Sequence, residues 1–281
     1  MNTFFFNGDW LDHNQIQVDV NDRALQYGDG VFETLRYDRN QIHWSEHHYF
    51  RLMSNMRIMR MNIPDYLTPE YFNDILNELI QANHWEKNAV RIRFQAWRKS
   101  GGAYTPQTND VNLIARAELL PDTRYELNHV DIKTDVYKDF HKPVNLLSSV
   151  KSCNAQLYVL ASVFRSENKL DECFLLNEKK QVIEAISSNV MLVKGKTITT
   201  PPIASGALKG IMRKRIVEKL APYLGYEVNE VNITPFDLNK ADEIWLTNSI
   251  RGIQTVTHYR KKQFGNTEAK RMVEMLNAQF D

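Results

Sequence analysis

The sequence predicts an α+β fold of two domains. Helical and strand patterns succeed one another without the regular strand–helix–strand alternation of a parallel sheet. The 281 residues are 43% hydrophobic and 25% charged, ordinary globular composition at a length that suits two domains. A stretch from Leu119 to Tyr125, carrying Pro121, interrupts the patterned segments. It is expected to connect a small N-terminal domain, residues 1–118, to a larger C-terminal domain, residues 126–281.

The elements follow from local chemistry. The first ten residues read as a strand turning at Asn7-Gly8-Asp9, good hairpin material. Tyr49, Leu52, Met53, Met56 and Met59 recur at helical spacing, so a helix is expected over 46–62, closed by Pro64. Thr68 as N-cap and Pro69 at the first position open a second helix running to about His84. Strands are expected from Ala89 to Trp97 and from Val111 to Glu118, joined by a loop with Gly101-Gly102. In the second half a strand from His129 to Tyr137 leads to the loop carrying Lys151, then to a helix from about Cys153 to Glu167. After several short strands a helix runs from about Leu208 to Leu224 and closes at Gly225. A last helix starts near Thr267, with Glu268 in its first turn.

Composition narrows the function. A formal net charge of +1 offers no electrostatic argument for nucleic acid or a membrane surface. Cys153 and Cys173 lack CxxC spacing and clustered histidines, so they read as reduced thiols of a cytoplasmic protein with no metal site. The opening MNTFFFNGDWLD has no basic region and too short an apolar run for a signal peptide. No apolar stretch approaches the roughly 20 residues that span a bilayer.

The chemistry is expected around Lys151 and Glu184. A lysine just ahead of a helix is followed by strand, turn, strand, and then by an acid near a strand end. That order suits pyridoxal 5'-phosphate (PLP), held as a Schiff base on the lysine with its pyridine nitrogen facing the carboxylate. Such a lysine must be desolvated or set near positive charge, and Leu146, Leu147 and Val150 are compatible with burial. Gly206 and Gly210 stand at the entry of a helix, where backbone N–H groups bind anions. The run LTNSIRG adds Asn248, Ser249 and Arg251 after an apolar strand. Arg51 lies off its helix's apolar stripe, either solvated or aimed at an anion, and Gly28 and Gly30 read as turn residues.

Taken in order, DRALQYGDGVFETLR, EHHYFRLMSNM, SVKSCNA, VIEAISSNVMLV, ITTPPIASGALKGIMRKRIVE and ADEIWLTNSIRGIQTV resemble the fold-type IV PLP enzymes. That class IV aminotransferase family comprises branched-chain aminotransferases, D-amino-acid aminotransferases and aminodeoxychorismate lyases. The likeness runs from residue 22 to 256. It implies a two-domain, D-amino-acid aminotransferase-like fold with PLP in the interdomain cleft, and a homodimer. It assigns Lys151 to the Schiff base, Glu184 to the pyridine nitrogen and Arg51 to the phosphate. It further assigns Ile211 and Met212 to the backbone phosphate cup, Ser249 to a further phosphate contact and Leu208 to packing on the ring. Many members have threonine where Met212 stands, so here only a backbone N–H is offered.

Within the family, the pattern leans to aminodeoxychorismate lyase. FET at 32–34, with Thr34 matching a proton donor, GGAYTP at 101–106 with Tyr104, and Asn248-Ser249 with Arg251 carry the lean. The expected reaction converts 4-amino-4-deoxychorismate to 4-aminobenzoate and pyruvate, a step of folate synthesis. Asn248, Arg251 and Arg93 are candidates for the substrate carboxylates, since paired donors suit them. The alternative is an aminotransferase acting on branched-chain or D-amino acids with 2-oxoglutarate.

Overall fold

Thr3–Phe6 and Asp9–Asp12 (β1, β2) form the expected hairpin because Asn7 and Gly8 take φ of 53° and 106°, as a tight hairpin turn requires. The computed structural model describes residues 2–281. It divides into two units, one running to Arg124 and including Val150–Ala155, the other comprising Tyr125–Ser149 and Gln156–Asp281.

In the first unit, Arg23–Tyr27 (α1) is capped by the Asp22 side chain and closed by Gly28 at φ 63°. Then come Gly30–Asp38 (β3), Gln41–Ile42 (β4), Ser45–Ile58 (α2), Pro69–Ala82 (α3), Val90–Arg98 (β5) and Val111–Leu119 (β6). The six strands form one sheet in the order β2-β1-β6-β5-β3-β4. Leu52, Met53, Met56, Phe72, Leu76 and Leu79 of the helices share a core with Val31, Leu35, Ile92, Phe94, Leu113 and Ala115 of the sheet. Each of the larger buried side chains contributes about 2 kcal/mol of transfer free energy. Strand alternation sends Phe32, Thr34, Arg93 and Gln95 to the opposite face, with Thr34 beside Arg93 and Arg93 beside Arg116 in register.

Two helix ends differ from expectation. Pro64 does not terminate α2; the chain leaves the helix after Ile58, Arg60 adopts φ 55°, and the Met61 N–H returns to the Met56 carbonyl. The helix expected from Cys153 begins at Gln156. Its first residues are committed to the β3 edge: the Phe32 N–H donates to the Lys151 carbonyl at 3.0 Å, and the Cys153 N–H donates to the Gly30 carbonyl at 2.8 Å. Those backbone groups cannot also serve a helix.

The second unit holds Lys133–Val136 (β7), shorter than expected, then Gln156–Glu167 (α4), Glu172–Leu176 (β8), Val182–Ala185 (β9), Asn189–Lys194 (β10) and Thr197–Thr200 (β11). Ile211–Arg215 (α5), a π-helical turn over Ile216–Leu220 and Ala221–Tyr223 (α6) make one continuous helical run. It starts at Ile211 rather than Leu208. Pro222 lacks the N–H to continue the α pattern, and Gly225 at φ 75° closes the run. Glu227–Glu230 (β12), Glu243–Asn248 (β13), Gly252–Thr255 (β14), His258–Tyr259 (β15), Lys262–Gln263 (β16) and Thr267–Asn277 (α7) complete it. Two five-stranded sheets result, β12-β11-β10-β13-β14 and β16-β15-β7-β8-β9. Phe174, Val182, Val190, Leu246 and Tyr259 lie in their shared core. Among the described residues no helix is long and apolar enough to cross a membrane, and no group of acids, histidines and cysteines could hold a metal ion.

Candidate active site

The first unit carries Lys151 against an aromatic ring. Its Nζ lies 4.3 Å from the centre of the Phe32 ring, and the Arg93 guanidinium lies 3.6 Å from the same centre. Thr34 stands two residues along β3, on the same face as Phe32. Arg93 donates from Nε and Nη2 to the Gln95 Oε1 at 3.2 and 3.1 Å, and the Cys153 thiol lies in its electrostatic neighbourhood. Burial pulls the Arg93 guanidinium below its usual range, the Cys153 contact opposes this, and neighbouring Arg116 and Arg91 add to it. Burial likewise raises the Cys153 thiol, so it meets Arg93 as a neutral group. Among the described residues, no carboxylate pairs with Arg93.

Arg51 is not on a solvated face. Its Nε donates to Glu33 Oε1 at 2.7 Å and its Nη2 to Oε2 at 2.5 Å, a bidentate pair. His48, one turn earlier on α2, places Nδ1 2.6 Å from the same Oε2. Burial by itself raises the Glu33 carboxyl, but Arg51 and His48 overcome it and hold the group at about 2. Burial lowers His48, against the pull of Glu33, so the ring is neutral. An acceptor-only carboxylate then places its proton on Nδ1, leaving a buried Nε2 with no hydrogen-bond partner.

The second unit carries Glu184 on β9, 3% exposed. Its Oε1 accepts from Lys142 Nζ at 2.6 Å and from the Tyr158 hydroxyl at 2.8 Å; its Oε2 accepts from the Leu208 N–H at 2.8 Å. Burial and the adjacent Glu184 charge push the Tyr158 hydroxyl well above its usual range, so Tyr158 stays a donor.

Leu208 leads into the Gly210 turn, where a Cβ on Gly210 would stand 1.8 Å from Asn189 Oδ1. A larger residue there would have to displace the Asn189 side chain. Asn189 in turn donates to the Leu208 carbonyl at 2.9 Å, pinning the turn to β10. Ile211 and Met212 follow as the first helical residues, whose N–H groups have no acceptor within the helix. The Met212 side chain is 1% exposed, packed inward, so its contribution outward is the backbone N–H alone.

Other expected residues lie elsewhere or are already engaged. Asn248 Nδ2 donates to the Ser187 carbonyl and to Ser188 Oγ, while Oδ1 accepts from the Ile250 and Arg251 N–H groups. Asn248 therefore shapes the turn, with both amide hydrogens directed at protein acceptors. The Ser249 carbonyl accepts from the Tyr125 hydroxyl at 3.0 Å, and Arg251 reaches Ser187 Oγ at 3.2 Å. Tyr104 is 90% exposed, its ring 5.7 Å from that of Tyr27, outside both clusters. Leu146 and Leu147 are 67% and 57% exposed and do not wall in Lys151; Val150, at 6%, is buried.

Phe32, Glu33, His48, Lys142 and Tyr158 escaped the sequence reading. Glu33 carried a signal, as an acid at a core-facing position of an otherwise apolar alternation. His48 and Arg51 share a helix face at i, i+3. Lys142 and Tyr158 carried none, because both meet Glu184 only through the fold.

Comparison with known proteins places the chain. The family model described as amino-transferase class IV matches residues 30–259. A "Putative branched-chain-amino-acid aminotransferase" of Methanocaldococcus jannaschii is 29% identical over 277 residues, covering 98% of this chain and 94% of that one. An aminodeoxychorismate lyase of Vibrio harveyi is 27% identical over 246 residues, 86% of this chain and 88% of that one. The crystal structure of a branched-chain aminotransferase from Thermoproteus uzoniensis superposes with a TM-score of 0.90 at 22% identity, over 99% of this chain and 94% of that one. This two-domain α+β chain belongs to the class IV aminotransferase family, with the fold-type IV architecture.

Proposed function

We propose that this enzyme uses PLP and transfers the amino group of an amino acid to a 2-oxo acid. The observation that carries the reading is the placement of Lys151 and Arg93 on one Phe32 ring, with no acid against Arg93 among the described residues. An amine-handling residue beside a half-buried cation with no carboxylate against it among the described residues suits an amino acid, whose own carboxylate would pair with the guanidinium. The residues fit the cofactor. Glu184 offers an oriented carboxylate to a ring nitrogen, and the Gly210 turn offers N–H groups at a helix start to a phosphate. When bound, PLP supplies the electron sink for carbanion chemistry.

The protein's part is positioning and proton transfer. Lys151 Nζ would hold the cofactor, and its amine, once freed, would take up the proton of the substrate carbon as a general base. Arg51, Ile211, Met212 and Ser249 are assigned to the phosphate, Leu208 to the ring, and Arg93 with Arg251 to substrate carboxylates. The full-length likeness to a relative named for branched-chain aminotransfer supports this reaction.

The lyase reading is retained as the second, favoured by one observation. Thr34 shares the open sheet face with Phe32 and is the register neighbour of Arg93, a suitable place to protonate a departing enolpyruvyl fragment. One assay separates the two. Purified protein with PLP is given leucine or D-alanine plus 2-oxoglutarate, and separately 4-amino-4-deoxychorismate. Glutamate formation is expected. Release of 4-aminobenzoate and pyruvate without any glutamate would replace aminotransfer by the lyase reaction.

A homodimer is part of the same reading. The α4 side chains Val159, Leu160 and Val163 are 59%, 44% and 47% exposed, while Leu157, Ala161 and Phe164 of the same helix pack inward. A helix apolar on both sides suits a second copy as the cover of its outer face. Light scattering is expected to give twice the chain mass, and Val159→Glu with Val163→Glu to shift it towards one; a wild-type monomer would overturn the dimer.

A further inference from the structure

We propose that Lys142 and Tyr158 are positioning residues that hold the Glu184 carboxylate in one orientation, charge-balanced, for the nitrogen of the cofactor ring. The inference rests on the assignment of Glu184 made above. An ionised carboxylate has about four acceptor positions, two on each oxygen. Lys142 Nζ and the Tyr158 hydroxyl take both positions of Oε1, and the Leu208 N–H takes one of Oε2. A single position on Oε2 remains for an incoming donor.

The three donors come from separate parts of the unit, so the carboxylate is fixed from three sides. Lys142 is anchored where its N–H donates to the Leu176 carbonyl at 2.8 Å. Tyr158 comes from α4, and Leu208 from the turn before the Gly210 helix. Lys142 also meets the Tyr158 hydroxyl at 2.8 Å, closing a triangle with Glu184. The other acid near this strand, Glu172 on β8, accepts from the Cys173 and Ile186 N–H groups instead. Among the described residues the ion pair of Lys142 is with Glu184 alone, and both side chains are under a tenth exposed, at 8% and 3%.

A buried ion pair is a poor way to stabilise a core, since apolar residues of similar volume often do as well. Its value here lies in pre-organisation. Lys142 neutralises the acid before any cofactor arrives, and Tyr158 prevents the carboxylate from turning its free position elsewhere.

The test compares Lys142→Met, Lys142→Arg and Tyr158→Phe with the wild type, and uses Glu184→Gln as reference. Each is stripped of cofactor and titrated with PLP, and the visible spectrum of the reconstituted enzyme is followed across pH. Lys142→Met is expected to weaken PLP binding about 10–100-fold, the scale of one charge-assisted hydrogen bond. It should also shift the pH dependence of the visible band, with Lys142→Arg restoring both. Tyr158→Phe should weaken binding about 3–10-fold, less than Lys142→Met because the hydroxyl carries no charge of its own and Lys142 still holds the same oxygen. For a PLP analogue with carbon in place of the ring nitrogen, these differences should vanish, which a merely structural role would not produce. Wild-type affinity and pH profile in Lys142→Met overturn the proposal, and if that variant does not fold, the same result in Tyr158→Phe overturns it. If Glu184→Gln itself leaves binding and spectrum unchanged, the assignment of Glu184 falls instead.

Discussion

Replacing Lys151 by alanine is expected to lower turnover about 10³-fold or more, the equivalent of about 4 kcal/mol in the barrier, and to abolish the visible absorbance of bound cofactor. The fold should survive. The bonds that join this segment to β3 are made by backbone, through the Lys151 carbonyl and the Cys153 N–H, and alanine keeps both. The change removes, among the lysine's contacts, that of Nζ with the Phe32 ring, about 0.5–1 kcal/mol of cation–π stabilisation. Turnover, absorption spectrum and thermal melting of the same preparation check the three parts. A variant that kept its visible absorbance would sink the assignment of Lys151, whatever its rate.

The largest effect on stability is expected at Glu33. This carboxylate is fully buried, paired bidentately with Arg51 and held by His48. Glu33→Gln removes the buried charge that pairs bidentately with Arg51, a change that costs about 3–5 kcal/mol when a buried pair is broken. PLP affinity should fall with it, because Arg51 loses the partner that aims it. The pH dependence has a definite sign. The Glu33 carboxyl sits at about 2 in the folded chain against an ordinary 4.5. A depressed folded value means the unfolded chain binds the proton more readily. The stabilisation is therefore complete above pH 4.5 and lost as pH falls towards 2. It amounts to roughly 3 kcal/mol, at 1.36 kcal/mol per unit. Acid denaturation curves should be less steep in this window for Glu33→Gln than for the wild type. Equal slopes would remove Glu33 from the acid response.

Local chemistry and long-range contact divide what was legible in the chain. Helix α3 begins at Pro69 as expected because its start is written in adjacent residues, with Thr68 Oγ1 accepting from the Tyr71 N–H. The helix after Lys151 was misplaced by three residues because its true start depends on β3, more than a hundred positions away. Arg51 shows the same division within a side chain. Its place off the apolar stripe was readable, whereas the anion it meets, Glu33, lies 18 residues back on another element. Asn248 and Tyr104 stand in short motifs whose local sequence suits a site. Folded, one spends its amide on its own turn and the other stands in solvent.

By itself the sequence determined the two-domain α+β class, the family and the order of its chemical groups, from Lys151 to Glu184 to the Gly210 turn. These are properties of spacing and residue type, and they survive without coordinates. The tertiary structure decided which groups meet. It set Lys151 and Arg93 on one ring, locked Arg51 to Glu33, and surrounded Glu184 with Lys142, Tyr158 and the Leu208 N–H. The physical reason is that burial and charge pairing depend on which atoms share a low-dielectric interior, and distance along the chain does not report that.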